Sequence, residues 1–567
     1  MKLKGTQILL KILEEEKVEI IFGYPGGTVL DIYDRLYKSK IKHILVRHEQ
    51  GAVHAADGYA RATGKVGVCL VTSGPGATNT VTGIATANMD SIPLVVFTGQ
   101  VPTFLIGNDA FQECDITGIT RPCTKHNFLV RNIEELASTI KEAFHIARSG
   151  RPGPVLVDLP KNVMAAEINY DPAKIKFRNY DTFHKPAPKK MAHVYEMLAH
   201  AQKPLIVTGG GVILGKASAE LTALARRYQI PVTGTLMGIG SFPGMDPLWL
   251  GMLGMHGTYY ANMAVSHCDL LIAVGVRFDD RVTGTIDTFA TNAEIVQIDI
   301  DPSSINRNVV VDLPIIGDTK ATLKDMIKFL TEHNYAPQAS YRKEWLDQIA
   351  IWKEKVPLSY CRDGRFIKPQ HVIETLHKIA QGNIIVTTEV GQNQMWTAQF
   401  FPFDEPNTLV TSGGLGTMGY GLPAAIGVKC AFPDKHVVDI AGDGSIQMNI
   451  QELATAAQYK INVKIVLLNN GYLGMVRQWQ ELFYEKRYSH TDMTYAPDFV
   501  KLAEAYGVVG LRATKPAEVE KTLREGLAIE KPVLMDFQVS REECVYPMVG
   551  PGSSISDMKL GTREMIN

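Results

Sequence analysis

The chain has 567 residues, of which 45% are hydrophobic and 21% charged, and its formal net charge is −1. Such a composition indicates a folded protein of about three domains, and no segment reaches the roughly 20 apolar residues of a membrane-spanning helix. A charge this close to zero provides no field to hold a polyanion, so nucleic acid is not expected as a partner.

Seven cysteines are scattered along the chain, and none stands in a Cys-x-x-Cys pair. An odd, scattered set fits neither a disulfide framework nor a zinc site and favours a reducing compartment. Near the start, Glu14, Glu15 and Glu16 stand where a secretory signal would need its apolar run. The sequence therefore predicts a cytoplasmic protein without a membrane segment.

In the first third of the chain, short apolar runs alternate with stretches of helical composition. This alternation is typical of a doubly wound, mainly parallel α/β sheet. We predict a first domain over residues 1–165. Its strands are expected at residues 18–22, 44–46, 67–72, 94–98 and 155–159, and its helices at residues 52–63 and 133–149.

Two interruptions divide the rest of the chain. A stretch rich in proline and lysine, at residues 184–190, precedes a middle domain predicted over residues 187–340, with strands at 204–208, 270–274 and 295–298. A polar helix at 341–355 leads into a third domain over residues 365–545, with strands at 384–388, 436–440, 464–469 and 532–538, and a tail over 546–567. We therefore expect three α/β domains, each a mainly parallel sheet flanked by helices.

The third domain contains Gly442-Asp443-Gly444-Ser445 after a predicted strand, and Asn469-Asn470 ends the next strand, with Asn470 27 residues beyond Asp443. Adjacent parallel strands place their carboxyl ends at one edge, so the Asp443 carboxylate and the Asn470 amide oxygen are expected to converge on a hard cation such as magnesium or calcium. The glycines let backbone N–H groups approach a phosphate. The alternative, an ordinary turn beside an unrelated asparagine pair, is disfavoured by the interval.

This GDG, the interval and the terminal NN resemble the signature of thiamine-diphosphate-dependent enzymes. The resemblance implies a magnesium ion held by Asp443, Asn470 and the backbone carbonyl of Tyr472. The segments 389–392 and 412–419 resemble the family's cofactor loops, in which Met418 would bend the cofactor, although a buried methionine is otherwise ordinary core filler. The residues implied to hold this cofactor are Val390, Gly391, Gln392, Gly416, Met418, Gly442, Gly444, Ser445, Gly474 and Met475.

Thiamine chemistry also needs a carboxyl group beside N1′ of the pyrimidine ring. In this family it belongs to a glutamate that ends a strand of the first domain, across a subunit interface from the diphosphate. The matching segment is VRHEQGA at residues 46–52, and Glu49 is the implied residue. Taken alone, a glutamate at a helix start is more often a charge that suits the helix dipole. The shared site implies a homodimer or a dimer of dimers.

Six further segments resemble acetolactate synthase (acetohydroxyacid synthase) catalytic subunits, and the similarity covers nearly the whole chain. They are FGYPGG at 22–27, TSGPGATN at 72–79, DAFQE at 109–113, GRPGPVLVDLPK at 150–161, GVRFDDR at 275–281 and GMVRQWQ at 474–480. The resemblance implies that Gly26 and Gly27 close on the cofactor and that Gln112 lies near the reacting centre, with Gln112 and Gly27 joining Glu49 as catalytic candidates. It places Phe111, Lys161, Arg281, Met475 and Trp479 at the substrate entrance.

For two of these substrate residues, the chemistry of the side chain suits the implied role. The guanidinium fork of Arg281 suits the carboxylate of a second keto acid. Trp479 would shape the acceptor pocket, although an aromatic at helical spacing is more often part of a core. One departure from the family concerns Phe104, which stands where relatives carry a basic residue.

The middle domain begins with a glycine turn at residues 207–215, but its spacing fails the G-x-G-x-x-G test and is a weak dinucleotide signal alone. Biosynthetic acetolactate synthases bind FAD in this domain without using it for redox, and flavin-free relatives lack the AFQE and RFDDR patterns found here at 110–113 and 277–281. The resemblance therefore implies FAD. The implied flavin residues are Arg151, Gly209, Gly210, Gly211, Thr235, Leu236, Met237, His256, Gly257, Arg277, Asp279, Arg281, Asp299, Ile300 and Asp318.

The implied reaction decarboxylates pyruvate and joins the two-carbon unit to a second pyruvate or to 2-ketobutyrate, the first common step of valine, leucine and isoleucine synthesis. Small 2-keto acids are the expected substrates, and a small regulatory subunit is an expected partner. Two alternatives stay open. One is a flavin-dependent pyruvate oxidase or another thiamine-diphosphate decarboxylase or carboligase, and the other is a nonenzymatic protein descended from such an enzyme.

Overall fold

The computed structural model describes residues 1–177, 188–362 and 364–561. Three six-stranded sheets, each parallel throughout and flanked by helices, make up most of this structure. The predicted α/β class with three domains is confirmed. Residues 184–187 of the predicted proline- and lysine-rich interruption and residues 562–567 of the predicted tail lie outside the described residues. None of the described helices combines the length and apolarity needed to cross a bilayer.

The first domain contains the first sheet and a short antiparallel pair, β1 with β8. Its strands are β1 Lys2–Lys4, β2 Ile20–Tyr24, β3 Lys42–Leu45, β4 Gly67–Val71, β5 Leu94–Gln100, β6 His126–Leu129, β7 Pro154–Pro160 and β8 Glu167–Asn169. Its helices are α1 Gly5–Glu15, α2 Leu30–Leu36, α3 Glu49–Thr63, α4 Pro75–Thr78, α5 Val81–Asp90, α6 Ile116–Thr120, α7 Ile133–Arg148 and α8 Lys161–Ala165. The strand order is β3-β2-β4-β5-β7-β6.

The middle domain has a different strand order. Its strands are β9 Pro204–Thr208, β10 Val232–Gly234, β11 Trp249–Met252, β12 Leu270–Val274, β13 Glu294–Asp299 and β14 Leu313–Ile316. Its helices are α9 Pro188–His200, α10 Gly210–Leu214, α11 Ser218–Tyr228, α12 Tyr259–His267, α13 Asp280–Thr283, α14 Thr319–Glu332 and α15 Ala339–Lys355. The order β11-β10-β9-β12-β13-β14 is the 3-2-1-4-5-6 arrangement of doubly wound sheets.

The third domain repeats the arrangement of the first. Its strands are β15 Ile384–Thr388, β16 Leu409–Val410, β17 His436–Gly442, β18 Val463–Asn469, β19 Val509–Ala513 and β20 Val533–Gln538. Its helices are α16 Pro369–Ala380, α17 Gln392–Phe400, α18 Gly421–Ala431, α19 Asp443–Ile446, α20 Glu452–Gln458, α21 Gly474–Phe483, α22 Phe499–Ala505 and α23 Val519–Ala528. The strand order is β16-β15-β17-β18-β20-β19, and the tail adds an antiparallel pair, β21 Met548–Val549 with β22 Met558–Lys559.

Helix α3 is well specified by its sequence. Its N-cap residue is His48, whose ring nitrogen accepts a hydrogen bond from the backbone N–H of Gln50. Alanine is the best helix former, and this helix is rich in it. It ends at Gly64, whose φ of 69° is the left-handed conformation that glycine adopts without strain.

Helices α3 and α18 come from different domains, and their backbones are in contact. A β-carbon added at Gly427 would lie 1.9 Å from the carbonyl oxygen of Ala55, and one added at Gly58 would lie 2.4 Å from that of Ala424. The buried side chains around this crossing form one apolar cluster drawn from both domains. The first and third domains therefore form one packed unit, whereas the sheet of the middle domain has an apolar cluster of its own.

Six strands of the three large sheets were not predicted from the sequence: β6, β10, β11, β14, β16 and β19. Five of them are edge strands of their sheets. Edge strands have one unpaired side and are partly exposed here, so they lack the long apolar run by which a buried strand is recognised. Strand β10 is central but only three residues long.

All but the first two residues of helix α15 lie beyond residue 340, where the middle domain was predicted to end, and the helix packs on that domain. Trp345 is buried, and its indole N–H donates to the carbonyl of Pro204 over 3.1 Å. The tail also reaches the middle domain, because the N–H of Val549 donates to Met255 and Ile555 joins the apolar cluster of α12. In the structure, α15 and the tail therefore extend the surroundings of the middle sheet.

We predict that Gly427→Ala lowers the thermal unfolding midpoint, because the added methyl group would overlap the Ala55 carbonyl and force α3 and α18 apart. Overpacking of this kind lowers the free energy of unfolding by about 1–3 kcal/mol. Gly550→Ala is the control, since its added carbon would meet Phe483 at an ordinary 3.4 Å. Differential scanning calorimetry that gave both variants the parental midpoint would contradict the tight crossing.

Candidate active site

Ligands of doubly wound sheets bind at the carboxyl ends of strands, where the strand order reverses. The reversals lie between β2 and β4, between β9 and β12, and between β15 and β17. The residues directly after these strands are segments singled out in the sequence: 25–27 and 72–76, 209–211 and 275–277, and 389–392 and 443–445. The fold thus gathers the predicted site residues at three crevices.

At the crevice of the third domain, Asp443 and Asn470 lie side by side. Strands β17 and β18 are parallel neighbours with Gly442 opposite Leu468, so both chains leave the sheet at the same edge. The backbone N–H of Asn470 donates to Oδ1 of Asp443 over 3.3 Å, and its side-chain oxygen accepts from the N–H of Tyr472 over 3.0 Å. The three residues predicted to hold magnesium are therefore adjacent.

The Asp443 carboxylate has the character expected of a cation ligand. It is buried, its Oδ2 has no hydrogen-bond partner among the described residues, and burial raises its pKa to about 7. An unpaired buried carboxylate is costly unless a cation compensates it. No cluster of three His, Cys, Asp or Glu side chains suited to a metal occurs in the described parts of the chain. One carboxylate, one amide and one carbonyl oxygen fit a magnesium bound with phosphate oxygens and water.

Two glycines at this crevice leave no space for a side chain. A β-carbon at Gly444 would lie 2.5 Å from Cδ2 of Leu473, and one at Gly474 would lie 2.1 Å from Oε1 of Gln392. Gln392 is buried, and its amide group bonds to Asn470, Gln478 and the carbonyl of Glu543. Its side chain therefore ties the ends of β15 and β18 together.

The loop at residues 412–419, which carries Gly416 and Met418, is held by a buried carboxylate. Glu389 accepts hydrogen bonds from the N–H groups of Gly419, over 2.7 Å, and Leu422, over 3.3 Å. Burial raises the pKa of Glu389 to about 7 and that of its neighbour Asp439 well above its usual range. Glu389 was part of a quoted motif but was not predicted as a site residue, because its contacts lie 30 residues away in sequence.

A cavity of about 1750 Å³ lies among the three domains. All residues predicted to hold flavin line it except Gly209 and Gly257. It also reaches six residues predicted for the thiamine or substrate side, namely Val390, Gly391, Gly416, Met418, Met475 and Trp479. Asp90, Ser91 and Asp301 line it too, and the sequence analysis did not identify them.

Gly209 and Gly257 fall outside the cavity for local reasons. The backbone of the loop after β9 touches that of the loop after β12, since a β-carbon at Gly209 would lie 2.2 Å from the Gly275 carbonyl oxygen and one at Gly211 would lie 2.6 Å from the Gly275 Cα. A β-carbon at Gly257 would lie 2.6 Å from the carbonyl carbon of Leu253. Gly209 and Gly257 therefore pack behind the cavity lining, whereas Gly210 and Gly211 line the cavity itself.

The charged residues of the cavity are held in place by neighbours. Arg151 donates to Ser91 over 2.8 Å and to Asp301 over 3.1 Å. Burial raises the pKa of Asp299 to about 6 and lowers that of His256 to about 4, so this imidazole is neutral at physiological pH.

Two aspartates and an arginine beside the cavity have local partners. Asp318 and Asp279 are N-caps of α14 and α13. Arg281 is exposed and pairs with Asp280 over 3.0 Å.

At the crevice of the first domain, Glu49 opens helix α3 and is half-buried. Its Oε2 accepts from the side-chain amide of Asn79 over 2.9 Å, while its Oε1 accepts no hydrogen bond from the described residues. Lys161 donates to the carbonyl of Gly27 over 3.3 Å. Asn79 belongs to the TSGPGATN motif, which was the available signal for its role.

Other predicted residues surround this crevice. A β-carbon at Gly26 would lie 2.5 Å from Thr72, and one at Gly74 would lie 2.9 Å from the carbonyl oxygen of Gln112. Phe111 and Phe104 are exposed, at 88% and 72%. Neither these residues nor Glu49 line the large cavity.

Three family profiles match the chain. They describe thiamine pyrophosphate enzymes: their N-terminal TPP binding domain at residues 3–119, their central domain at 191–326 and their C-terminal TPP binding domain at 389–537. The chain is 49% identical over 564 residues to the acetolactate synthase large subunit of Haemophilus influenzae, covering 99% of this chain and 98% of that protein. This chain belongs to the acetolactate synthase large-subunit family.

Other members of the acetolactate synthase family match this chain with similar identity over nearly their whole length. Identity to the isozyme 3 large subunit of Escherichia coli is 49% over 572 residues, which is 99% of each chain. Identity to the probable large subunit of Methanocaldococcus jannaschii is 49%, over 98% of this chain and 95% of that one. The profiles describe the first and third domains as TPP binding, and the crevices at Glu49 and at Asp443 lie within the residues that these two profiles match.

Proposed function

We propose that this chain is the catalytic subunit of an acetolactate synthase. It releases carbon dioxide from one pyruvate and joins the remaining two carbons to a second pyruvate or to 2-ketobutyrate. The observation that carries the proposal is the buried Asp443 carboxylate, with an unpaired oxygen, beside Asn470 at the edge of the third sheet. Burying a carboxylate in its ionised form is costly unless a cation compensates it, and a divalent cation at this edge is suited to bind a diphosphate.

Asp443, Asn470 and the carbonyl of Tyr472 would hold magnesium, and Gly444 and Gly474 would let the backbone approach the diphosphate. Thiamine diphosphate, when bound, supplies the electron-accepting centre for decarboxylation and carbon–carbon bond formation. Met418, on the loop held by Glu389, supports the bend of the cofactor. The protein's own contribution is to hold, orient and exclude water.

Glu49 provides the carboxyl group beside N1′ of the pyrimidine ring. Asn79 occupies Oε2 and fixes the plane of the carboxyl, so Oε1 is available to share a proton with the ring nitrogen. Glu49 does not line the cavity that Met418 lines, and, as the family resemblance implies, we infer that Glu49 serves the cofactor of a partner subunit. The smallest active unit is then a homodimer, and a dimer of dimers is the next assembly.

FAD would be held on the middle-domain side of the large cavity, where it would take no redox role. Three features support this part of the proposal: the 3-2-1-4-5-6 strand order, the backbone contact between the turns after β9 and β12, and the cavity volume of about 1750 Å³. Arg151, held by Ser91 and Asp301, would supply a positive charge for the phosphates of the flavin dinucleotide.

The acceptor keto acid meets Arg281 and Trp479. The exposed guanidinium of Arg281 suits a carboxylate, and Trp479 lines the cavity with its ring edge-on to Phe483 at 5.5 Å. Lys161 and Phe111 lie at the first-domain side of the entrance. A small regulatory subunit as partner and a cytoplasmic location belong to the same proposal.

We predict that the protein, given pyruvate, thiamine diphosphate, magnesium and FAD, forms one acetolactate per carbon dioxide released. Product analysis by mass spectrometry and carbon dioxide release test this directly. With 2-ketobutyrate added, acetohydroxybutyrate is expected as well. Oxygen consumption or flavin reduction during turnover would instead support a pyruvate oxidase, and no carbon dioxide release would support a nonenzymatic protein.

A mixed dimer tests Glu49 and the shared site together. Glu49→Gln keeps the size of the side chain but cannot supply a carboxyl proton, so we expect turnover to fall by about 10²–10⁴-fold. Asp443→Ala removes the metal ligand and abolishes magnesium-dependent cofactor binding. Co-expressed with two different tags and purified through both, the two variants form dimers with one intact site, which should have about half the parental activity.

The outcome separates two arrangements of the site. An inactive mixed dimer would place Glu49 and Asp443 of one chain on the same cofactor and contradict the proposed sharing. Glu134→Gln is the control, because Glu134 is an exposed glutamate in the first turn of α7 and neutralising it removes only a charge near the helix dipole.

For the acceptor pocket, we predict that Trp479→Leu reduces the preference for 2-ketobutyrate over pyruvate. One lost apolar contact corresponds to about 1–3 kcal/mol of discrimination, or roughly tenfold and more. Competition between the two keto acids, read as the product ratio, measures the effect. Tyr484→Leu, at an exposed aromatic just after α21 that does not line the cavity, should keep the parental ratio. The same ratio in all three proteins would remove Trp479 from the pocket.

A further inference from the structure

Asp90, the last residue of α5 in the first domain, forms hydrogen bonds with a loop of the third domain. Its Oδ2 accepts a hydrogen bond from the N–H of Gly413 over 3.0 Å, and its Oδ1 accepts one from the N–H of Gly414 over 2.7 Å. The Asp90 side chain is fully buried and borders the large cavity. Gly413 and Gly414 belong to the loop 412–419, whose Gly416 and Met418 face the same cavity.

The two glycines of the loop lie too close to their neighbours to carry side chains. A β-carbon at Gly414 would lie 2.9 Å from Oδ1 of Asp90, and one at Gly413 would lie 2.3 Å from Sδ of Met237, in the middle domain. All three domains therefore meet at these two glycines. Their lack of a side chain is explained by the close approach of Asp90 on one side and Met237 on the other.

A second layer of buried charges fixes Asp90 itself. Arg61 of α3 donates from Nη2 to Oδ2 of Asp90 over 2.8 Å and from Nε to Oδ1 of Asp57 over 2.5 Å. The hydroxyl of Tyr420 donates to the same Oδ1 of Asp57 over 2.5 Å. Tyr420 directly follows the loop, so the network holds the loop near both of its ends.

The chemistry of this network suits positioning rather than stabilisation. A buried ion pair roughly balances its own desolvation cost and adds little net stability, but its hydrogen bonds fix geometry. Asp90, Arg61 and Asp57 lie in the first domain, whereas Tyr420 and the loop backbone that carries Met418 lie in the third. The network thus fixes the position of the loop relative to helix α3.

We propose that Asp90, oriented by Arg61, is a positioning residue: it holds the backbone of the loop 412–419 in the position that thiamine diphosphate needs for binding. The inference rests on the proposed function and concerns residues that it leaves without a role. Asp90 touches neither substrate nor reacting atoms, and it acts through the Gly413 and Gly414 backbone.

Asp90→Asn is the first test variant. It keeps the shape of the side chain, but its NH₂ group cannot accept from Gly413 and would face the Arg61 guanidinium. Hydrogen–deuterium exchange of the cofactor-free protein should become at least tenfold faster at the amides of Gly413 and Gly414. The dissociation constant for thiamine diphosphate, titrated with magnesium present, should rise at least tenfold, and saturating cofactor should restore most of the turnover.

Gly414→Ala displaces the same loop without removing a charge and should raise the same dissociation constant, which keeps the test valid if Asp90→Asn folds poorly. Asp269→Asn is the matched control. Asp269 also accepts from two consecutive backbone N–H groups, those of Gln202 and Lys203 at 2.7 and 2.9 Å, but in the middle domain away from the loop. It should leave the affinity for thiamine diphosphate unchanged.

Two results would overturn the inference alone. One is parental affinity in both loop variants, and the other is faster loop exchange in Asp90→Asn with parental affinity, which would leave Asp90 with a folding role only. A parent protein that binds no thiamine diphosphate would overturn the proposed function and this inference with it, so the two failures are distinguishable.

Discussion

The direct backbone contact between α3 and α18 is the constraint on which the arrangement of the site depends. Glycine at 58 and at 427 lets the two helices approach until carbonyl oxygens of one touch α-carbons of the other. Glu49 opens α3, and α18 follows directly on the loop of Met418. Because interiors this dense do not slide without opening voids, the two half-sites of one chain keep a fixed relation.

The strand orders explain why motifs far apart in sequence become neighbours. The first and third sheets share one order, and both reverse beside the segments that resemble thiamine-binding loops. The middle sheet has the order of dinucleotide-binding folds, although its glycine turn fails the usual spacing. The spacing of the glycines reflects how one turn approaches one phosphate, whereas the strand order determines where the crevice lies in the sheet. The two kinds of evidence are independent, and a fold alone does not decide a ligand.

The sequence predicted the α/β class and the adjacency of Asp443 and Asn470, because both follow from strands that end in polar residues. It did not predict the partners of α3. Asp57 and Arg61 stand four residues apart, a spacing that usually indicates an exposed ion pair on a helix surface. They are buried because α18 covers them, and nothing near residue 60 in the sequence indicates a partner more than 350 residues later. Glu389 and Asp90 were missed for the same reason, since each acts on backbone N–H groups of a distant loop.

The separation between α3 and α18 also affects how the chain is made. About 360 residues, including the whole middle domain, lie between the end of α3 and the start of α18. At roughly 5–20 residues per second, a ribosome needs on the order of 20–70 s to cover that distance. During this interval the alanine-rich face of α3 is uncovered, and the middle domain has time to form its own core first. Asp57, Arg61 and His54 interrupt that face with polar groups, which makes it a poorer surface for premature association than an unbroken apolar helix would be.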